Sequence, residues 1–216
     1  MKLFSPDSKF MQAMSRLADL AVINMMYVIC CLPVITIGAA STALYTVCSK
    51  MVYNRDSRLY RTFFKSFKEN FKDSTILWLI YLVTALVLIA DIYFFSQMPS
   101  PISYAGILFC IFFLLLSMVV SYTFPLLCHF ENTKLGTVKN ALTMSLAYLP
   151  RTIIILVLNA LPWVLLWKNM LMFLQTGFIW FFLYFSAAAY LNCLLLKKVF
   201  RPYLGEEEEM SVEDEK

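Results

Sequence analysis

The sequence predicts an all-α polytopic membrane protein: a bundle of transmembrane helices with one amphipathic helix at the membrane interface. Of its 216 residues, 61% are hydrophobic and 15% are charged, whereas a typical soluble domain is about 45–50% apolar and about 25% charged. Several apolar runs approach or exceed the roughly 20 residues that cross a bilayer. No polar linker separates these runs. We therefore expect one membrane domain over residues 1–205 and an acidic, disordered tail over residues 206–216.

Four of the expected spans follow directly from runs with few charges. They cover residues 74–98, 102–128, 152–167 and 169–196, and Asp91 in the first run is the one charge among them.

The region 17–49 is harder to interpret, because its 33 residues contain a single charge, Asp19. It is long for one span and short for two. Pro33 and Gly38 divide it, since proline ends or kinks a helix and glycine permits a turn. One alternative is a tight hairpin, with helices that end near Leu32 and restart near Ala39, which gives six crossings. The other is a single long, kinked span, which gives five.

The distribution of Lys and Arg favours the hairpin. With six crossings, segments 1–16, 49–73, 129–151 and 197–216 share one side and hold 17 of the 18 basic residues, and Lys168 alone lies on the other side. With five crossings the division is 14 against 4. Because basic loops stay in the cytoplasm, we expect six crossings with both termini cytoplasmic.

Residues 60–74, YRTFFKSFKENFKDS, have an aromatic stripe opposite a basic stripe, which is typical of an interfacial helix. The candidate face consists of Phe63, Phe67, Phe71, Lys65, Lys68 and Lys72. One interpretation is an in-plane anchor that contacts membrane lipid and orients the next span. The other is a docking surface for a transporter subunit or another membrane protein.

Four polar residues within the apolar runs are candidates for function. Asp91 either lies within reach of the interface or has a buried polar role, because a carboxylate at mid-membrane costs roughly 2.5–3.5 kcal/mol. Asn24, Asn159 and Asn192 either join helices through hydrogen bonds, each worth about 0.6–2 kcal/mol, or line a cavity.

The sequence contains no recognisable catalytic constellation. Nucleophile-elbow, P-loop, zinc-protease and dinucleotide-binding motifs are absent from it. Its one histidine, His129, follows Cys128, but no second cluster completes a metal site. No basic cluster has the spacing of a nucleic-acid motif. We therefore expect a non-enzymatic protein without cofactor, metal or nucleic-acid partner.

Two stretches resemble the YesL-like family of bacterial integral membrane proteins. They are LADLAVINMMYVICCLPVITIGAAS at residues 17–41 and FFKSFKENFKDSTILWLIYL at residues 63–82. The specific part of the first is C-C-L-P-x-x-T-I-G-A, which places Pro33, Thr36 and Gly38 in a family-like turn. The resemblance covers roughly residues 5–85.

The resemblance implies a bacterial plasma-membrane protein of unknown function, since the family has no established catalytic or binding residues. Its members are often found beside carbohydrate-uptake genes in Gram-positive bacteria. By analogy we expect an accessory or regulatory partner linked to carbohydrate uptake. The alternative is a small solute transporter or channel.

Overall fold

A computed structural model of the protein describes residues 9–53, 58–99, 102–130 and 133–200. In chain order its helices are α1 (Lys9–Cys31), α2 (Ile37–Val52), α3 (Leu59–Glu69), α4 (Phe71–Ser96), α5 (Ala105–His129), α6 (Lys134–Ala147), α7 (Leu149–Lys168), α8 (Met170–Gln175), α9 (Gly177–Ile179) and α10 (Phe185–Phe200). Short 3-10 turns lie at Val34–Thr36 and Ile102–Tyr104, and a π-helical segment at Trp180–Tyr184 precedes α10. The acidic tail over residues 206–216 lies outside the described residues.

Six helical stretches within the described ranges are long and apolar enough to cross a membrane. They are Phe10–Cys31, Val34–Val52, Phe71–Ser96, Ile102–His129, Leu149–Lys168 and Gly177–Phe200. The predicted all-α membrane fold is confirmed. Region 17–49 forms two helices rather than one, which agrees with the hairpin alternative.

The turn between α1 and α2 is closed by a threonine. The hydroxyl of Thr36 donates to the carbonyl oxygens of Cys30 at 2.6 Å and Pro33 at 2.7 Å. The first of these carbonyls lies at the end of α1, where the helix itself supplies no partner. The helices run antiparallel from this turn, and the hydroxyls of Tyr27 and Ser41 lie 3.4 Å apart across them.

Helix α2 is the most enclosed of the spanning candidates. It contacts α1, α3, α4, α5 and α10, and its first two turns contain the small buried residues Gly38, Ala39, Ala40 and Ala43. Small side chains let helix backbones approach closely inside a membrane, where apolar burial does not drive helices together. Helix α2 therefore forms the centre of the bundle.

Three hydrogen bonds connect α2 to its neighbours at successive turns. Their partners lie in α4, α3 and α5: Thr42 Oγ1 to Ser74 Oγ, Thr46 Oγ1 to Ser66 Oγ, and Ser49 Oγ to His129 Nε2, each 2.8 Å. Such groups need protein partners because hydrocarbon offers none. The outward faces of α4, α5 and α7 are instead rich in exposed large apolar side chains, which suits contact with lipid.

Candidate functional sites: interior polar groups and the surface of α3

Asn24 on α1 binds the irregular backbone that precedes α10. Its side-chain amide donates to the carbonyl oxygens of Trp180 at 3.0 Å and Phe181 at 2.6 Å, and its Oδ1 accepts from the backbone N–H of Ser186 at 2.8 Å. The change from α- to π-helical hydrogen bonding alters which backbone groups find partners within a helix. Fully buried Asn24 therefore satisfies backbone groups from another helix.

Asn192 and Asn159 meet in a second interior polar cluster, which joins α10 to α7. The amide of Asn192 donates to Asn159 Oδ1 at 3.3 Å and to the hydroxyl of Tyr45 on α2 at 3.1 Å. The amide of Asn159 in turn lies 3.4 Å from Ser121 Oγ on α5. Asn192 is fully buried, and its Oδ1 has no hydrogen-bond partner among the described residues. The sequence contained no signal that would have added Tyr45 and Ser121 to this cluster.

Asp91 lies five residues before the end of α4 and is half-buried. It is not joined to the two asparagine clusters by any hydrogen bond among the described residues. The two interpretations of this carboxylate, a position at the boundary and a buried polar role, stay predictions.

The turn between α1 and α2 leaves no space for a side chain at Gly38. A Cβ atom built there would lie 2.6 Å from Trp78 Cβ and still closer to the carbonyl oxygen of Ser74. The indole N–H of Trp78 also donates to the carbonyl oxygen of Val34 at 2.8 Å. The turn that contains Pro33, Thr36 and Gly38 thus packs directly against the first turns of α4.

The predicted docking face on α3 needs a correction, because Phe63 is completely buried and Phe67 is half-buried. Phe63 packs into the same apolar cluster as Leu20, Val52 and Phe124. Ser66, which bonds to Thr46, lies on the same inward side. Phe63 and Phe67 therefore hold α3 to the bundle, and Phe63 forms no part of an accessible surface.

The outward side of α3 carries both basic and aromatic side chains. The exposed cations are Arg61, Lys65 and Lys68 on α3 and Lys72 in the first turn of α4, here together called the basic surface of α3. Beside them lie three exposed aromatic side chains: Tyr60 at 56%, Phe64 at 55% and Phe71 at 40% exposure. The nearest acidic partner is Glu69, 3.9 Å from Lys65 in a solvent-exposed pair.

A shallow cleft lies where α2, α5 and α10 end. Its lining includes Ser49, Tyr53, Cys128, His129 and Lys197. The ring of His129 packs 5.4 Å from that of Phe200. No group of three metal-ligating side chains suited to an ion occurs among the described residues, although Glu131 lies outside them. The sequence could not reveal the contact of His129 with Ser49, because the two are 80 positions apart.

Comparison with known proteins shows a resemblance to a family over part of the chain. Residues 20–92 match the family model described as "Protein of unknown function, DUF624". The chain is 33% identical to uncharacterized protein YesL of Bacillus subtilis over 117 residues, which is 54% of the chain and 55% of YesL. It is 26% identical to uncharacterized protein YteU of the same organism over 152 residues, covering 70% of the chain and 68% of YteU.

The chain thus spans about half the length of YesL. No solved structure matches it. The matched region contains the α1–α2 turn, α2, α3 and most of α4, which are the elements that bear the close approach at Gly38 and the basic surface. The protein is a multi-pass membrane protein, and its residues 20–92 are similar to a YesL-like domain of unknown function.

Proposed function

We propose that this protein is a non-enzymatic accessory or regulatory partner of another membrane protein, which it binds through the basic surface of α3. The observation that carries the proposal is the two-sided character of α3. One side is fixed by buried Phe63 and by the hydrogen bond from Ser66 to Thr46. The other side holds three exposed cations at defined positions, and exposed Lys72 lies next to them in the first turn of α4. A helix that is held rigidly by its neighbours presents charges without a large entropic cost on binding.

The proposed partner is a carbohydrate transporter subunit in a bacterial plasma membrane. Support for this choice comes from the family resemblance, whose members often lie beside carbohydrate-uptake genes. The chemistry of the basic surface favours an acidic segment on the cytoplasmic side of that partner, because complementary charge speeds encounter and suppresses wrong partners. Membrane lipid covers the apolar outer faces of the bundle in this proposal.

Cross-linking in the native membrane tests the proposal. The triple variant Lys65→Glu, Lys68→Glu, Lys72→Glu should lose the partner that cross-links to the parent protein. Two single variants provide the matched comparison. Lys139→Glu reverses one exposed cation on α6, and Lys68→Glu reverses one exposed cation on α3. Retention of every cross-linked partner by the triple variant would refute docking through α3.

A small solute transporter or channel is the second candidate, and the unpartnered Oδ1 of buried Asn192 favours it. A buried acceptor without a partner costs about 1–3 kcal/mol, so a bound solute or water at this place would stabilise the bundle. Proteoliposomes that contain the parent protein, the Asn192→Leu variant or the Asp91→Asn variant should differ in solute uptake. Absence of flux in the parent protein across a broad solute panel would remove this candidate.

A further inference from the structure

We infer that the acidic segment 206–209 of this chain binds the basic surface of α3 and competes there with the partner. The inference rests on the proposed function for its regulatory meaning, although the contact itself can be tested alone. Residues 206–216 contain seven of the fourteen acidic residues of the sequence, including Glu206, Glu207, Glu208 and Glu209 in succession. The basic surface contributes four cations within twelve positions.

The end of α10 lies beside the end of α2. The ammonium group of Lys197 is 4.7 Å from the centre of the Tyr53 ring, and Tyr53 directly follows α2. The ring of Phe200 lies 5.4 Å from that of His129, which is hydrogen-bonded to Ser49 in the last turn of α2. The end of α10 at Phe200 therefore lies at this end of α2.

Helix α3 packs against the same half of α2. Ser66 bonds to Thr46, and Phe63 and Val52 share one apolar cluster. Packed helices have axes about 8–10 Å apart. Since α3 and α10 both contact α2, their axes lie within about 20 Å of each other.

The connecting chain is long enough to make the contact. Six positions separate Phe200 from Glu206, and an extended chain covers at most about 3.3–3.6 Å per residue, or roughly 20 Å here. Segment 206–209 can therefore reach α3 with no change in the described helices.

The cations on and near α3 are only partly neutralised by acidic side chains of the bundle. Glu69 lies 3.9 Å from Lys65 in a pair whose side chains are 60% and 72% exposed, and solvent-exposed pairs of this kind hold their partners weakly. Asp73 is bound instead by Lys134 of α6 at 2.8 Å. Arg61, Lys68 and Lys72 have no ion pair among the described residues, so a run of four carboxylates meets cations that the bundle does not neutralise.

Zero-length carbodiimide cross-linking of the full chain in nanodiscs tests the contact, because it joins only lysine and carboxylate side chains that touch. Peptide mass spectrometry should show links from Lys65, Lys68 or Lys72 to segment 206–209. Links to exposed Lys139 and Lys168 serve as the matched control. The α3 links should fall about tenfold between about 0.01 M and about 1 M salt, since the Debye length shrinks from about 30 Å to about 3 Å.

Several results would overturn the inference. The first is an even spread of links over all exposed lysines. The second is a set of links formed mainly between isotope-labelled and unlabelled copies, which are intermolecular. The third is loss of the α3 links in nanodiscs that contain phosphatidylglycerol. The last result would mean that anionic lipid covers the surface in a membrane.

A second variant separates this inference from the proposed function. Replacing Glu206, Glu207, Glu208 and Glu209 by Gln should abolish the intramolecular links and raise partner recovery. If the links disappear and recovery is unchanged, the competition is refuted. If links occur in the parent protein but reversing the α3 lysines leaves partner recovery intact, the intramolecular contact stands and the proposed function fails.

Discussion

Gly38 lies where α2 approaches the first turns of α4, and its missing side chain allows the two backbones to come together. The carbonyl oxygen of Ser74 and the Cβ of Trp78 occupy the space that a methyl group would need. Both obstacles are backbone or the root of a side chain, so neither can rotate away. The position therefore tolerates only glycine unless the helices separate.

Gly38→Ala should lower the free energy of unfolding by about 1–3 kcal/mol or more, the usual cost of overpacking a close contact. Gly177→Ala is the matched control, because no atom lies within 4 Å of a Cβ built there. Thermal unfolding in detergent, followed by size-exclusion chromatography, measures both. Equal stability of the two variants would contradict the close approach at Gly38.

Asn24 is a second residue whose effect reaches another helix. Asn24→Leu should leave two carbonyl oxygens and one N–H near Trp180 without partners, and each unsatisfied buried group costs about 1–3 kcal/mol. Asn159→Leu is the comparison, because its contacts are longer, at 3.3 and 3.4 Å, and the residue is only half-buried.

Denaturant unfolding should rank Asn24→Leu as the more destabilised of these two variants. Hydrogen exchange should also rise most in the backbone around Ser186 when Asn24 is replaced. The reverse ranking would show that the π-helical segment does not depend on α1.

At the scale of elements, α3 is an amphipathic helix with one side packed against the bundle and the other side exposed. Its inward row, Phe63, Ser66 and Phe67, packs against α1 and α2. Its outward side contains the basic surface and the exposed aromatic residues. Amphipathicity alone predicts both sides, but it does not tell whether the aromatic row faces lipid, solvent or protein.

Two neighbouring phenylalanines of α3 test this assignment. Phe63→Ala should lower the free energy of unfolding by about 3–5 kcal/mol, the usual cost of truncating a buried phenylalanine. Phe64→Ala should change it by no more than about 0.5 kcal/mol, as for other exposed positions. Thermal unfolding of the two variants in one detergent makes the comparison. A larger effect at Phe64 would mean that α3 is rotated relative to the described structure.

At the scale of the whole molecule, the described ranges contain six helices long and apolar enough to cross the membrane, and Lys and Arg are unevenly distributed between the segments that join them. Under six crossings, 17 of the 18 basic residues share one side. Basic loops are retained in the cytoplasm. We therefore expect the segments that hold these 17 residues to face the cytoplasm. Lys168, the last residue of α7, is the exception.

Cysteine labelling in intact cells tests this orientation. A membrane-impermeant maleimide should label Lys168→Cys directly and Lys139→Cys only after the cells are permeabilised. Both positions are exposed, and the parent chain with its own thiols controls for background labelling. The opposite pattern would invert the topology, and direct labelling at both sites would rule out six crossings.

The sequence by itself determined the fold class, the spans and the α1–α2 turn, because hydropathy, proline, glycine and charge act locally along the chain. The turn was predicted to within two residues, with helices that end at Cys31 and restart at Ile37. The sequence also selected Asn24, Asn159 and Asn192, since amides inside apolar runs need partners. Only the tertiary structure decided which partners they have, that Phe63 faces inward, and that Ser49 meets His129. Those outcomes depend on how helices far apart in the sequence pack against one another. The helical period shows which side of a helix is apolar, but it is the same whether that side contacts lipid or another helix.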